Sequence, residues 1–164
     1  MPERFEHTMG DADALMWSVD RDPHLRSTIV TALVLDRAPD WQRFLARLDR
    51  GSRLIPRLRQ RVVEPAVRIG PPAWSVDPDF DLTYHVRRVR APKPRSFDAM
   101  LDVAATAAMG DFDRARPLWE CTLVEGLPDK RAGVVLKVHH SMSDGVGGMK
   151  LLIMLFDLDR DPVV

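Results

Sequence analysis

Val134-Val135-Leu136-Lys137-Val138-His139-His140-Ser141-Met142-Ser143-Asp144-Gly145-Val146-Gly147-Gly148 reads as a buried strand that ends on two histidines, turns, and restarts as a helix behind Asp-Gly. From Val134 to Val138 the run is β-branched and apolar apart from Lys137, which suits a strand in the middle of a sheet. Alternation places Val134, Leu136, Val138 and His140 on one face and Val135, Lys137 and His139 on the other. The two histidines are therefore expected to point in opposite directions.

That opposition makes a metal site on His139, His140 and Asp144 poor, because strand neighbours do not easily share one ion. No metal is expected. A single imidazole at the strand end can act alone, and His140 is the candidate. It emerges from an apolar face, where burial favours the neutral ring with a nitrogen free to accept a proton. Asp144 shapes the turn by bonding backbone donors or an arginine, and Gly145 allows a positive φ or a close backbone approach. The plainer reading is a helix N-cap at Ser143 or Asp144 beside two incidental histidines.

Working outward, Asp11 caps a short helix that sets Trp17 against the core, and Ser27 to Leu35 is a β-branched strand. His24, beside Pro23, reads as a solvated loop residue. Asp40 caps a helix with Trp41, Phe44, Leu45 and Leu48 at i, i+3, i+4 and i+7, stopped by Gly51. Its row of Arg43, Arg47 and Arg50 reads as a wet face ahead of a phosphate site. Short strands and turns follow through Pro56–Val63 and Trp74. Ser96 opens a helix with Phe97, Met100, Leu101, Ala104, Ala105 and Ala108 on one side, ended by Gly110. Leu118 to Glu125 is a strand, in which Cys121 shares a face with Trp119 and Leu123 and reads as a buried small residue. A Cys121, His140 and Asp144 hydrolase set would need a thiol–imidazole contact. Beyond Gly148 the segment from Met149 to Phe156 is apolar on every side, so such a helix needs cover all round.

With 164 residues and a formal net charge of +0, the chain fits one domain and gives no reason to expect a nucleic-acid partner. One cysteine rules out an internal disulfide framework. The first residues lack the apolar core of a signal peptide, and no run reaches membrane-spanning length. A soluble or peripheral protein is expected.

The His139-His140-x-x-x-Asp144-Gly145 pattern resembles the signature of the superfamily of chloramphenicol acetyltransferase, plant BAHD acyltransferases and peptide-synthetase condensation domains. Within it, the chain looks most like the bacterial wax ester synthase/diacylglycerol acyltransferase family. The supporting segments are Pro117-Leu118-Trp119, Pro56-Arg57-Leu58-Arg59-Gln60-Arg61, Phe80-Asp81-Leu82-x-x-His85, and an Asp-Ala step near the start.

The resemblance implies an α/β fold, a two-layer sandwich of a mixed β-sheet covered by helices. It makes residues 1–164 one domain equivalent to the family's N-terminal half, with the C-terminal domain absent. It implies transfer of a long-chain acyl group from acyl-CoA, a co-substrate with no resident cofactor beside it, to a fatty alcohol or diacylglycerol. His140 would be the general base, with His139, Asp144 and Gly145 holding the loop and Asp144 paired to an arginine. The expected setting is cytoplasmic, peripheral at the inner membrane or lipid droplets. The missing half would be supplied by a second domain or by self-association. A non-catalytic half that binds a partner is the alternative.

Overall fold

The computed structural model describes residues 7–65 and 70–142. In chain order these form β1 (His7–Thr8), α1 (Asp11–Val19), β2 (Thr28–Leu35), α2 (Trp41–Leu54), β3 (Gln60–Val63), β4 (Ala73–Val76), α3 (Leu82–His85), β5 (Val86–Arg90), α4 (Phe97–Met109), β6 (Trp119–Glu125) and β7 (Ala132–His139). The mixed sheet runs β2-β7-β6-β5, with β7 antiparallel to both its neighbours and β5 parallel to β6. A smaller antiparallel sheet runs β1-β4-β3. The mixed sheet with its helices is the fold class expected.

All eight residues of β7 are buried, as its nearly unbroken apolar run requires. On one face Val134, Leu136 and Val138 join Cys121 and Leu123 of β6, Phe44 and Leu48 of α2, Leu58 and Trp74 in one core. On the other, Val135 meets Val124, Val30 and the Met100 and Ala104 of α4. Helical side chains thus pack into both cores.

Two helix boundaries show which local signals win. The Asp40 carboxylate accepts the Arg43 N–H and the Ser96 hydroxyl accepts the Ala99 N–H, so both predicted caps form. Gly51 does not stop α2. It is buried within the helix, which continues to Leu54, and Ile55 turns extended because Pro56 follows. Proline's steric demand on the preceding residue ends this helix; the glycine is simply a buried residue within it. In α4 the buried stripe is Ala99, Met100 and Ala104, with Phe97, Val103 and Ala107 beside it. Leu101 and Ala105 face solvent, because positions three, four and seven beyond Met100 define the packed face.

Asp11 lies inside α1, whose N-cap is Gly10, and Trp17 is buried as expected. His140 leaves β7 for a 3-10 turn, His140–Met142. Asp144, Gly145 and the apolar segment from Met149 lie outside the described residues.

Gly133, in β7, faces α4 so closely that a methyl there would sit 2.1 Å from the Met100 sulfur. Met100 is 2% exposed and has little room to retreat. Gly133→Ala is expected to cost about 1–3 kcal/mol by overpacking. In urea unfolding, the Gly133→Ala/Met100→Ala pair should lose less than the sum of the single losses.

Candidate functional site: the histidine turn

The end of β7 is held from both neighbouring chain segments. The His139 N–H donates to the Leu118 carbonyl at 3.0 Å, and the His140 N–H donates to the Ser27 carbonyl at 2.7 Å. Leu118 is the residue before β6 and Ser27 the residue before β2, so the two strands flanking β7 fix the two histidine backbones.

The His139 side chain is 1% exposed. Its Nδ1 accepts the Ser141 N–H at 3.2 Å and lies 2.7 Å from the Ser141 hydroxyl. An accepting Nδ1 puts the ring proton on Nε2. Nε2 faces Asp20 Oδ1 at 3.5 Å, a long approach that aligns charge more than it closes a tight bond. Trp17 and Phe112 meet the imidazole edgewise, with centroids at 5.9 and 6.1 Å. Burial lowers the His139 pKa, with Asp20 opposing, so the ring is neutral near pH 7.

Asp20 closes the surrounding network. Its Oδ1 also accepts the Ser27 N–H at 2.8 Å, and its Oδ2 accepts from Arg114 at 3.1 Å. Arg114 donates as well to the Trp17 carbonyl and lies 3.9 Å above the Trp17 ring. Nothing in sequence marked Asp20 or Arg114, since the link spans 94 positions.

His140 is half-buried. Its Nδ1 is enclosed and has no hydrogen-bond partner among the described residues. Of the two rings His139 is the more deeply buried, because the chain leaves the strand between them.

Lys137 shares the His139 face. Its ammonium donates to the Gly110 carbonyl at 2.8 Å, stands 3.7 Å from Glu120 and lies 4.2 Å from the Phe112 ring centre. A cation at the carboxyl end of α4 is favoured by the helix dipole.

Pro117, Leu118 and Trp119 are all buried. The Trp119 indole N–H donates to the Leu58 carbonyl at 2.8 Å. His85 Nδ1 lies 2.8 Å from the Trp119 carbonyl, and its ring stacks between Phe80 and Trp119 at 5.3 and 4.6 Å. His85 is thus a buried structural histidine. Cys121 is fully buried, and burial pushes its thiol up to about 12. It pairs with Leu136, four residues and roughly 13 Å of strand before His140. A Cys121–His140 nucleophile pair is therefore out of reach.

Residues 4–164 match the wax ester synthase/diacylglycerol acyltransferase catalytic domain. The chain belongs to that family. A putative diacylglycerol O-acyltransferase of Mycobacterium tuberculosis is 44% identical over 159 residues, which are 97% of this chain and 32% of the relative. A probable diacylglycerol O-acyltransferase of the same organism is 37% identical over 84% of this chain and 30% of its own length. The wax ester synthase/diacylglycerol acyltransferase of Marinobacter aquaeolei superposes with a TM-score of 0.68 at 27% identity, over 88% of this chain and 37% of that one. The starter condensation domain of rhizomide synthetase superposes at 0.74 with 15% identity over 91% of this chain and 37% of that chain, a likeness of fold. The chain spans about a third of the length of the curated relatives it matches.

Three family segments meet at Trp119: Pro56 to Arg61 through the Leu58 carbonyl, Phe80 to His85 through ring stacking, and Pro-Leu-Trp itself. Of the histidine motif, the structure brings His139 and His140 to the end of the central strand; Asp144 and Gly145 fall outside the described residues. The Arg43 and Arg50 of α2 are exposed, as a solvated face requires. Among the described residues no helix is long and apolar enough to cross a membrane.

Burial lowers the pKa of both His85 and His139. Unfolding restores them to about 6.5, so the unfolded chain binds more protons and the fold loses stability as pH falls through that value. The urea midpoint is expected to drop between pH 7 and pH 5. His85→Phe should flatten part of that slope while costing about 1–3 kcal/mol at pH 8, where the Trp119 carbonyl loses its donor. An unchanged slope would mean that His85 is not buried neutral.

Proposed function

We propose that this chain supplies the histidine-bearing half of an acyl-CoA-dependent O-acyltransferase, with His140 as general base and diacylglycerol or a fatty alcohol as acceptor. The observation that carries the reading is the His139-His140-x-x-x-Asp144-Gly145 motif at the end of the central strand, in a chain of this family. In this reading residues 1–164 correspond to the N-terminal half, and a second domain or subunit completes the enzyme.

The chemistry asks little more of the protein than a placed base and a place for charge. As the acceptor oxygen attacks the thioester carbonyl, His140 removes the hydroxyl proton; it then returns a proton to the departing coenzyme A thiolate. Because thiol pKa values lie near 8.5, the thiolate leaves readily, and no acyl-enzyme is required. His139 and Asp144 hold the turn, and Gly145 leaves room for the coenzyme. Donors that meet the oxyanion complete the requirement. The buried Pro117, Leu118 and Trp119 act as the floor under the turn, through the Leu118 carbonyl that holds His139. Long-chain acyl-CoA and a lipid acceptor fit a peripheral site at a membrane or lipid droplet.

The test is coenzyme A thiol release from palmitoyl-CoA, with and without hexadecanol or dipalmitoylglycerol. Acceptor-dependent release is expected, reduced about 10²–10⁴-fold by His140→Ala. Release without acceptor dependence would replace the transferase reading with a hydrolase. A folded chain that releases nothing until a C-terminal half is added would place the completed site across two halves. Silence even then would leave the non-catalytic, partner-binding reading in its place.

A further inference from the structure

We propose that Asp20 is the positioning residue of the histidine turn, fixing His139 through its side chain and His140 through its backbone, with Arg114 as its counter-charge. The proposal rests on the reading of His140 as the base. One carboxylate reaches both histidines by separate routes. Oδ1 faces His139 Nε2 at 3.5 Å and also accepts the Ser27 N–H at 2.8 Å. The Ser27 carbonyl in turn accepts the His140 N–H at 2.7 Å. A shift of Asp20 would therefore move the imidazole of one histidine and the backbone of the next.

The placement of Asp20 makes little sense as helix architecture. It is the C-cap of α1, where the macrodipole disfavours a negative charge. It keeps that position with its side chain 15% exposed, because Arg114 and Ser27 donate to it and the His139 Nε2 edge faces it at 3.5 Å. A residue that violates the local rule and is then surrounded by tertiary donors from other parts of the chain points to a role outside its own helix. Arg114 supplies the charge balance. It lies across Trp17, whose ring meets His139 edgewise, so the same arginine also presses α1 onto the imidazole.

Asp20 touches no reacting atom in this scheme. Its effect is geometric, and truncation should appear in turnover while acyl-CoA binding stays the same.

The test uses the whole chain as wild type, Asp20→Ala, Asp20→Asn and Asp20→Glu. The first readout is amide hydrogen exchange. Asp20→Ala should speed exchange at Ser27 and His140 by about tenfold or more, the loss of a single charged hydrogen bond. Val30 and Leu136, mid-ladder, should keep their protection. Asp20→Asn retains an acceptor for the Ser27 N–H and should fall between; it also decides the matter if the alanine variant does not fold. The second readout is thiol release under conditions where wild type is active. Asp20→Ala should lower kcat about tenfold or more with KM for acyl-CoA within about twofold, and Asp20→Glu should recover part of the loss. Unchanged exchange at His140 would overturn the proposal, as would an unchanged kcat or a loss carried entirely by KM. If wild type shows no release with any complementing half, the functional reading fails, while the exchange arm still decides whether Asp20 holds the turn.

Discussion

A strand buried along its whole length can carry polar side chains only if partners come to them. Removing an amide or hydroxyl from water without replacing its hydrogen bonds costs about 1–3 kcal/mol by protein measurements, and a bare charge costs far more. β7 carries two such residues, Lys137 and His139, at 2% and 1% exposure. Much of the surrounding arrangement can be read as the answer to them. Lys137 draws in the carboxyl end of α4 through the Gly110 carbonyl, together with Glu120 and the ring of Phe112. His139 draws in Ser141, Asp20, and the edges of Trp17 and the same Phe112. α1, which has only one fully buried side chain of its own, is tied to the sheet at this point.

The second knot works by stacking and two carbonyls. Trp119 donates to Leu58, His85 lies against Trp119, and Phe80 covers His85. Each aromatic contact of this kind is worth about 0.5–1.5 kcal/mol beyond area burial. The two knots share a spine, since Leu118, next to Trp119, holds the His139 amide. Trp119 and the histidine turn are thereby joined through one residue of backbone.

What could be read from the chain beforehand follows from how local each signal is. β2, β6 and β7 were legible because β-branched runs declare themselves, and the caps at Asp40 and Ser96 because a cap acts within three residues. Gly51 misled because a glycine can end a helix or lie buried within one, and here Pro56 sets the end. The α4 stripe was about one position off, enough to bring Leu101 from the expected core to 53% exposure. Alternation placed His140 on the face of Val134, Leu136 and Val138, but β7 ends at His139 and His140 opens the following turn, half-buried. Asp20 and Arg114 were invisible: a lone acid and a lone arginine 94 positions apart carry no pattern. The histidines were legible as a motif only through the residues that follow them, Asp144 and Gly145, which the described structure does not include.

Two identical side chains in sequence end up with different physical characters because the backbone changes between them. His139 still obeys the strand, so its ring turns into the protein, loses water, engages Ser141 through Nδ1 and leaves Nε2 facing Asp20 at 3.5 Å without a closed hydrogen bond. His140 begins the 3-10 turn, stays half-buried, and keeps its backbone anchored while its ring is free of such commitments among the described residues. A proton-transfer group must reach substrate and must change protonation without unfolding its surroundings. A ring at 1% exposure, wedged between two aromatic edges, meets neither condition. The difference between the two rings therefore follows from where β7 ends, with the Leu118 and Ser27 carbonyls anchoring the last two amides from the two flanking strands.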